Sequence, residues 1–187
     1  MKRATFLFCS FLLSGAAVAS ECPTAPDHSV KLDALIGQIQ VAPDETEARV
    51  LSNELWQYWA DAPDEAAQEV LDRGMRKRAA WDLLGALEDF DTLVAYCPEY
   101  AEGYNQRAFA NFLRQDFEAA LPDLERAIEL SPRHIGALSG RAMTLIGLGR
   151  EAEAQDALVA ALELNPWLPE RGLLKPVPEK QVPGEDL

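Results

Sequence analysis

The sequence predicts an all-α fold, a solenoid of antiparallel helix pairs, on three observations. A 34-residue period runs through the chain, with Phe90, Leu124 and Leu158 in register and Pro98, Pro132 and Pro166 likewise. Each period holds two stretches with the 3.6-residue apolar spacing of amphipathic helices. Small residues recur at fixed places in those stretches, which lets paired helices approach closely. Repetition at such a period is the mark of stacked supersecondary units that bury their apolar faces only against their neighbours.

The elements follow in chain order. Residues 1–19 open with Lys2 and Arg3, continue with an apolar run from Ala4 to Leu13, and reach the small triplet Ala17-Val18-Ala19. That is the three-part order of a secretory signal peptide, so cleavage is expected after Ala19 and the chain is expected in the periplasm or outside the cell. The run is far short of the roughly 20 apolar residues a spanning helix needs, and no other segment approaches that length, so no membrane span is expected. Neither Cys9 nor Cys22 has the small-residue box of a lipid anchor before it. After a linker at 20–28, residues 29–66 carry two helical patterns, HSVKLDALIGQIQ and ETEARVLSNELWQYWA, separated by Ala42-Pro43-Asp44. They read as a degenerate repeat or cap that packs Leu55, Trp56 and Trp59 onto the first full repeat, because a solenoid must cover its end faces. Pro26-Asp27, Pro43-Asp44, Pro63-Asp64 and Pro98-Glu99 mark helix starts, with proline in the first turn and acid at the positive end of the helix dipole.

Three full units occupy 67–100, 101–134 and 135–168. Position 8 of the unit reads Gly74, Ala108, Ala142, and position 20 reads Ala86, Ala120, Ala154. Position 27 is Leu93, Ala127, Ala161, while the large residues of position 24, Phe90, Leu124 and Leu158, supply knobs for the gaps. Position 4 adds Val70, Tyr104 and Leu138. The tail at 169–187 is proline-rich; Trp167, Leu168, Leu173 and Leu174 are expected to fold back over the last helix, and residues from about Lys175 read as disordered.

With this register the chain resembles the tetratricopeptide repeat family, most closely in AEGYNQRAFANFLRQDFEAALPDLERAIELSP. The resemblance covers 67–168 and implies a right-handed α-solenoid that binds proteins and does no catalysis. Departures are Lys77 and Asn111 at position 11, Trp81 and Gln115 where a turn glycine is usual (Gly149 keeps it in the third unit), and Pro122, expected to bend its helix. In the family, positions 5, 9 and 12 line the concave groove that receives a partner's peptide or helix. Here they give Leu71, Met75, Asn105, Phe109, Phe112, Ser139, Met143 and Ile146, with Arg78 in the remaining place, a deformable apolar trough. The same stripe would also suit packing against neighbouring first helices or the N-terminal pair. The family's clamp for a C-terminal carboxylate is not expected, since Leu71, Met75, Gly136 and Gly140 stand where its cations and amides belong.

Charge narrows the partner. Loss of Lys2 and Arg3 with the leader takes the formal charge from −14 to −16, which excludes nucleic acid and points to a protein partner. The two histidines, His28 and His134, are far apart in sequence, and no zinc or calcium motif occurs, so no metal is expected. Gly147-Leu-Gly149-Arg-Glu-Ala152 has the spacing of a dinucleotide fingerprint but joins two helices, where it reads as a tight turn, and no cofactor is expected. Nothing pairs a nucleophile with a base, so the chain is not expected to be an enzyme. Arg73, Arg107 and Arg141 recur at position 7, with Asp89 and Asp123 at position 23. Ion pairs Arg73–Asp89 and Arg107–Asp123 are expected within units, and Arg141, opposite Ala157, is left as a candidate anion contact. In an oxidising compartment Cys22 and Cys97 allow a disulfide, while two free thiols are the simpler reading. Two functions fit: a non-catalytic interaction adaptor of a bacterial cell envelope, or an accessory or regulatory subunit of an envelope enzyme complex.

Overall fold

Short acidic caps set four of the eight helix starts among the described residues. The computed structural model describes residues 21–175, so the expected leader at 1–19 and the tail from 176 onward lie outside the described residues. Within them run α1 (Ser29–Gln40), α2 (Glu45–Trp59), α3 (Glu65–Ala79), α4 (Leu83–Tyr96), α5 (Ala101–Leu113), α6 (Phe117–Leu130), α7 (Ile135–Gly147), α8 (Glu151–Leu164) and a 3-10 turn, Pro169–Leu173. The carboxylates of Asp44, Asp64, Asp82 and Asp116 accept from the amides of Glu47, Ala67, Gly85 and Ala119. Each cap is worth about 1 kcal/mol. Pro43 and Pro63 precede these caps and stand outside the first turn, a correction to the sequence reading: the aspartate itself takes the third amide, so the helix begins after it. At Pro98-Glu99 the helix begins at Ala101, behind Tyr100, whose side chain makes no cap bond. Helix α6 continues through Pro122.

The turns inside the three pairs share one geometry. Trp81, Gln115 and Gly149 have φ of 62°, 62° and 71°. The next residue's amide returns to the helix before it, Asp82 to the Lys77 carbonyl, Asp116 to that of Asn111 and Arg150 to that of Leu145. Tryptophan and glutamine thus occupy a left-handed position that glycine adopts freely, at a cost of about 1 kcal/mol each.

Helices α3 and α4, α5 and α6, and α7 and α8 pack as pairs, and α4 on α5 and α6 on α7 join the pairs into a stack. Ala86, Ala108, Ala120, Ala142 and Ala154 are fully buried at the close approaches, and Phe90, Leu124 and Leu158 fill the spaces between. Arg73 binds Asp89 through Nε and Nη2, both at 2.9 Å, and Arg107 grips Asp123 in a two-point pair at 2.7 and 2.6 Å. The first acid is shared with Lys77 at 2.8 Å, whereas Arg107 itself is shared with Asp91 at 2.8 Å. No helix among the described residues is long and apolar enough to cross a membrane.

The N-terminal pair does not stack on the first repeat. Leu35, Ile36, Ile39, Leu55 and Trp59 pack with Ile135 of α7, with Leu164 at the end of α8, and with Trp167 and Leu168 after it. Gln40 donates to the Glu163 carbonyl at 2.7 Å, Asn165 to the Ser52 hydroxyl at 3.3 Å, and Arg171 meets Glu45 at 2.9 Å. The place expected for this pair on the first-repeat core is taken by the strap before α1, where Cys22 and Ala25 lie against the cluster of Phe90, Leu93 and Tyr100. Cys22 and Cys97 are disulfide-bonded across 75 residues of sequence. Trp167 and Leu168 are thus half-buried against α1–α2. The segment after them folds back along α8 as expected, with Gln155 donating to the Leu173 carbonyl at 3.2 Å and accepting from the Lys175 amide at 2.7 Å, while the Leu173 and Leu174 side chains stay 44 % and 42 % exposed.

Candidate partner-binding groove

Helices α3, α5 and α7 lie side by side and present positions 5, 9 and 12 to one face. Met75, Asn105, Phe109, Phe112, Ser139 and Met143 line a cavity of about 450 Å³ on that face. Phe109 is 43 % exposed within it, and Trp56 of α2 forms part of its rim. A side chain at Gly136 would place its Cβ 2.8 Å from the Trp56 ring, so glycine there is what lets the N-terminal pair approach α7. Two residues of the sequence stripe are elsewhere. Leu71 is fully buried in the first-repeat core, because Ala62 and Tyr100 close over that end of α3. Ile146 is turned toward the α7–α8 core of Leu145 and Leu158.

Behind Asn105 and Gln106 of the groove lies a polar network the sequence did not reveal. Glu102, 1 % exposed, accepts from Asn105 at 2.9 Å, from Gln106, and from His134 Nε2 at 2.8 Å. His134 is fully buried; its Nδ1 accepts the Ala137 amide at 3.2 Å and so caps α7, which leaves the ring proton on Nε2, facing Glu102. Its ring stacks on Trp59 with centroids 4.2 Å apart, so the network also fastens the N-terminal pair. Gln106 in turn accepts from Arg78, whose guanidinium lies 4.5 Å above the Phe109 ring. Burial pulls Arg78 below the ordinary arginine value and Glu102 pulls it back; it stays charged. Glu102 and His134 stand at positions 2 and 34 of their unit, where the other units have Gln68, Gly136, Tyr100 and Leu168. With nothing recurring, the period carried no signal for this pair.

Two polar atoms on the groove wall are unengaged. The Thr144 hydroxyl, in a fully buried residue, and Glu170 Oε2 have no hydrogen-bond partner, and both residues line the cavity. Arg141, the sequence's candidate anion contact, does not line it and makes no ion pair among the described residues. Glu153 lies close enough to be held below its ordinary value, by its bond to Arg150 and more weakly by the charge of Arg141. A second cavity of about 350 Å³ lies where the strap crosses the inter-repeat turns, bordered by His28 and Asp61, 2.6 Å apart, and by Trp59 and His134. No cluster of three potential metal ligands comes together among the described residues.

Comparison with known proteins agrees with this architecture. A tetratricopeptide repeat family model matches residues 112–167. A TPR repeat-containing protein of Rhizobium etli is 29 % identical over 136 residues, 73 % of this chain and 67 % of the relative. A homolog of tetratricopeptide repeat protein 36 from Nematostella vectensis is 42 % identical over 76 residues, 41 % of each chain. The chain therefore spans about two-fifths to two-thirds of the length of these relatives. Among solved structures, the second TPR domain of human RPAP3 in complex with an HSP70 peptide is 25 % identical with a TM-score of 0.55, covering 57 % of this chain and 89 % of that one.

Proposed function

Given that the chain is a tetratricopeptide repeat protein, we propose that it is a non-catalytic adaptor of a bacterial cell envelope that holds an apolar segment of a protein partner in its concave groove. Repeats of this kind mediate protein–protein interaction. The observation that carries the reading is the cavity itself: methionines and phenylalanines from three successive inner helices line one open trough, though pairing of the helices does not require that stripe to be apolar. Export is supported by the leader-like first 19 residues and by the Cys22–Cys97 bridge, a bond that persists in oxidising compartments.

Two substitutions test the groove. Phe112→Asp is expected to lower the thermal midpoint less than a core change does, because the ring lines the cavity as well as packing on the cluster of Ala108 and Leu124, and to abolish partner capture from envelope extracts. Ala120→Leu is expected to do the reverse, since overpacking a closed helix contact costs about 1–3 kcal/mol of stability. A midpoint lowered as far by Phe112→Asp as by Ala120→Leu would make the stripe core and remove the groove. Export is checked by mass spectrometry of the purified chain, which should begin at Ser20.

A further inference from the structure

The polar groups around the trough differ in what they already do. Arg78 is engaged by Gln106 and by the Phe109 ring, and Asn105 and Gln106 are engaged by Glu102. Arg171, the cation next to Glu170 in sequence, binds Glu45 at 2.9 Å and the carbonyls of Trp167 and Leu168 at 2.9 and 3.0 Å. What is left over is negative and acceptor-rich: a carboxylate oxygen of Glu170 shut from solvent without a donor, and the buried Thr144 hydroxyl on the same cavity. A buried carboxylate oxygen without a donor is costly, and a cation brought to it is favourable twice over, by charge and by hydrogen bonding.

Resting on the groove reading above, we propose that the segment bound is apolar and basic. A large apolar side chain of the partner sits among Phe109, Phe112 and Met143, and a neighbouring lysine or arginine donates to Glu170. An acidic segment would meet like charge at Glu170 and across a chain whose formal charge is −14. The groove thus selects the charge opposite to that taken by a carboxylate clamp.

The oxidised full-length protein, panned against a displayed library of random twelve-residue peptides at about 0.15 M salt, tests this. Selected peptides should combine Phe, Leu or Met with Lys or Arg. A synthetic representative should bind roughly tenfold more weakly to Glu170→Gln. Changing its basic residue to glutamine should cost the wild type a similar factor, and both changes together little more than either alone. Glu118→Gln, an exposed change of equal charge away from the cavity, should leave binding unchanged. Acidic or uncharged selections, or binding indifferent to Glu170→Gln yet lost in Phe112→Asp, would overturn the basic partner while keeping the groove. No selection at all, or binding indifferent to Phe112→Asp, would take the groove reading down with it. Binding that tightens in Lys180→Gln would give the site to the chain's own tail, and a dimer dissolved by Phe112→Asp would give it to a second copy; either overturns the proposal.

Discussion

The helix pairs α3–α8 and the pair α1–α2 are held by opposite means. Within α3–α8 the central contacts recur: a small residue against a large one, an arginine against an aspartate, a left-handed turn, each close to its counterpart in the next unit. The α1–α2 pair is held by contacts that occur once and join distant parts of the chain, such as Gln40 to Glu163, Trp59 to His134 and Glu45 to Arg171. Local, repeated contacts make a stack whose parts are individually replaceable. Single long-range contacts make an attachment in which each part carries more of the load.

The largest test of that contrast is the disulfide. Reduction, or Cys97→Ser, is expected to lower stability by about 4 kcal/mol, the loop-closure effect of a bridge across so many residues, read from urea midpoints with and without reductant. Midpoints insensitive to reductant would mean that the strap is fastened elsewhere. Next comes His134→Ala, expected to cost about 3 kcal/mol, since it removes the α7 cap, the Trp59 stack and one donor to buried Glu102. Hydrogen exchange should then rise in α1–α2 before it rises in α5–α6. Uniform exchange across all helices would erase the distinction between the two regions.

The repeated ion pairs sharpen the comparison from the other side. Arg107→Ala strips Asp123 of its cation and should cost about 2 kcal/mol, whereas Arg73→Ala leaves Asp89 with Lys77 and should cost clearly less, both by chemical denaturation. Burial pushes the Asp89 carboxyl up, but Lys77 and Arg73 outweigh it and hold the group below the usual carboxylate range. Its contribution is therefore complete above about pH 4 and is lost as the pH falls through the lowered folded value. Lys77→Ala raises that folded value, so on acid titration the variant should lose less stability than wild type and complete the loss at a higher pH. The smallest effects belong to the turns: Gln115→Gly should stabilise by about 0.5 kcal/mol and Gly149→Ala destabilise by about 1 kcal/mol in thermal melts.

What recurred could be read in advance. The helices of the three units, the small-against-large packing and both arginine–aspartate pairs followed from residues 34 apart, and six of eight stripe residues line one cavity. The family departures at Trp81 and Gln115 altered nothing in the turn, because the backbone bond to the helix before it forms with any side chain. What was misread had no second instance. The placement of Leu55 and Trp59 depended on whether the far end of the stack or its near end was free, and the strap carrying Cys22 and Ala25 had taken the near end. Leu71 was misassigned for a related reason: its counterparts Asn105 in α5 and Ser139 in α7 line the cavity, but in α3 Ala62 and Tyr100 cover it. Glu102, His134, Thr144 and Glu170 matter through one-time juxtapositions, which spacing does not encode.

The attachment of α1–α2 to α8 also decides how the molecule can grow and come apart. An open stack of repeats has two ends, so it can lengthen by another unit, join head to tail with a copy, or fray from its tips. Here the first helices sit on the last ones and the strap is bonded to the first repeat just after α4, so among the described residues the chain closes on itself and covers both ends of the stack. Duplication of a unit after α8 would have to displace the N-terminal pair. Pulled from its termini the oxidised protein should resist and then give way in one step, more like a buckle than a spring.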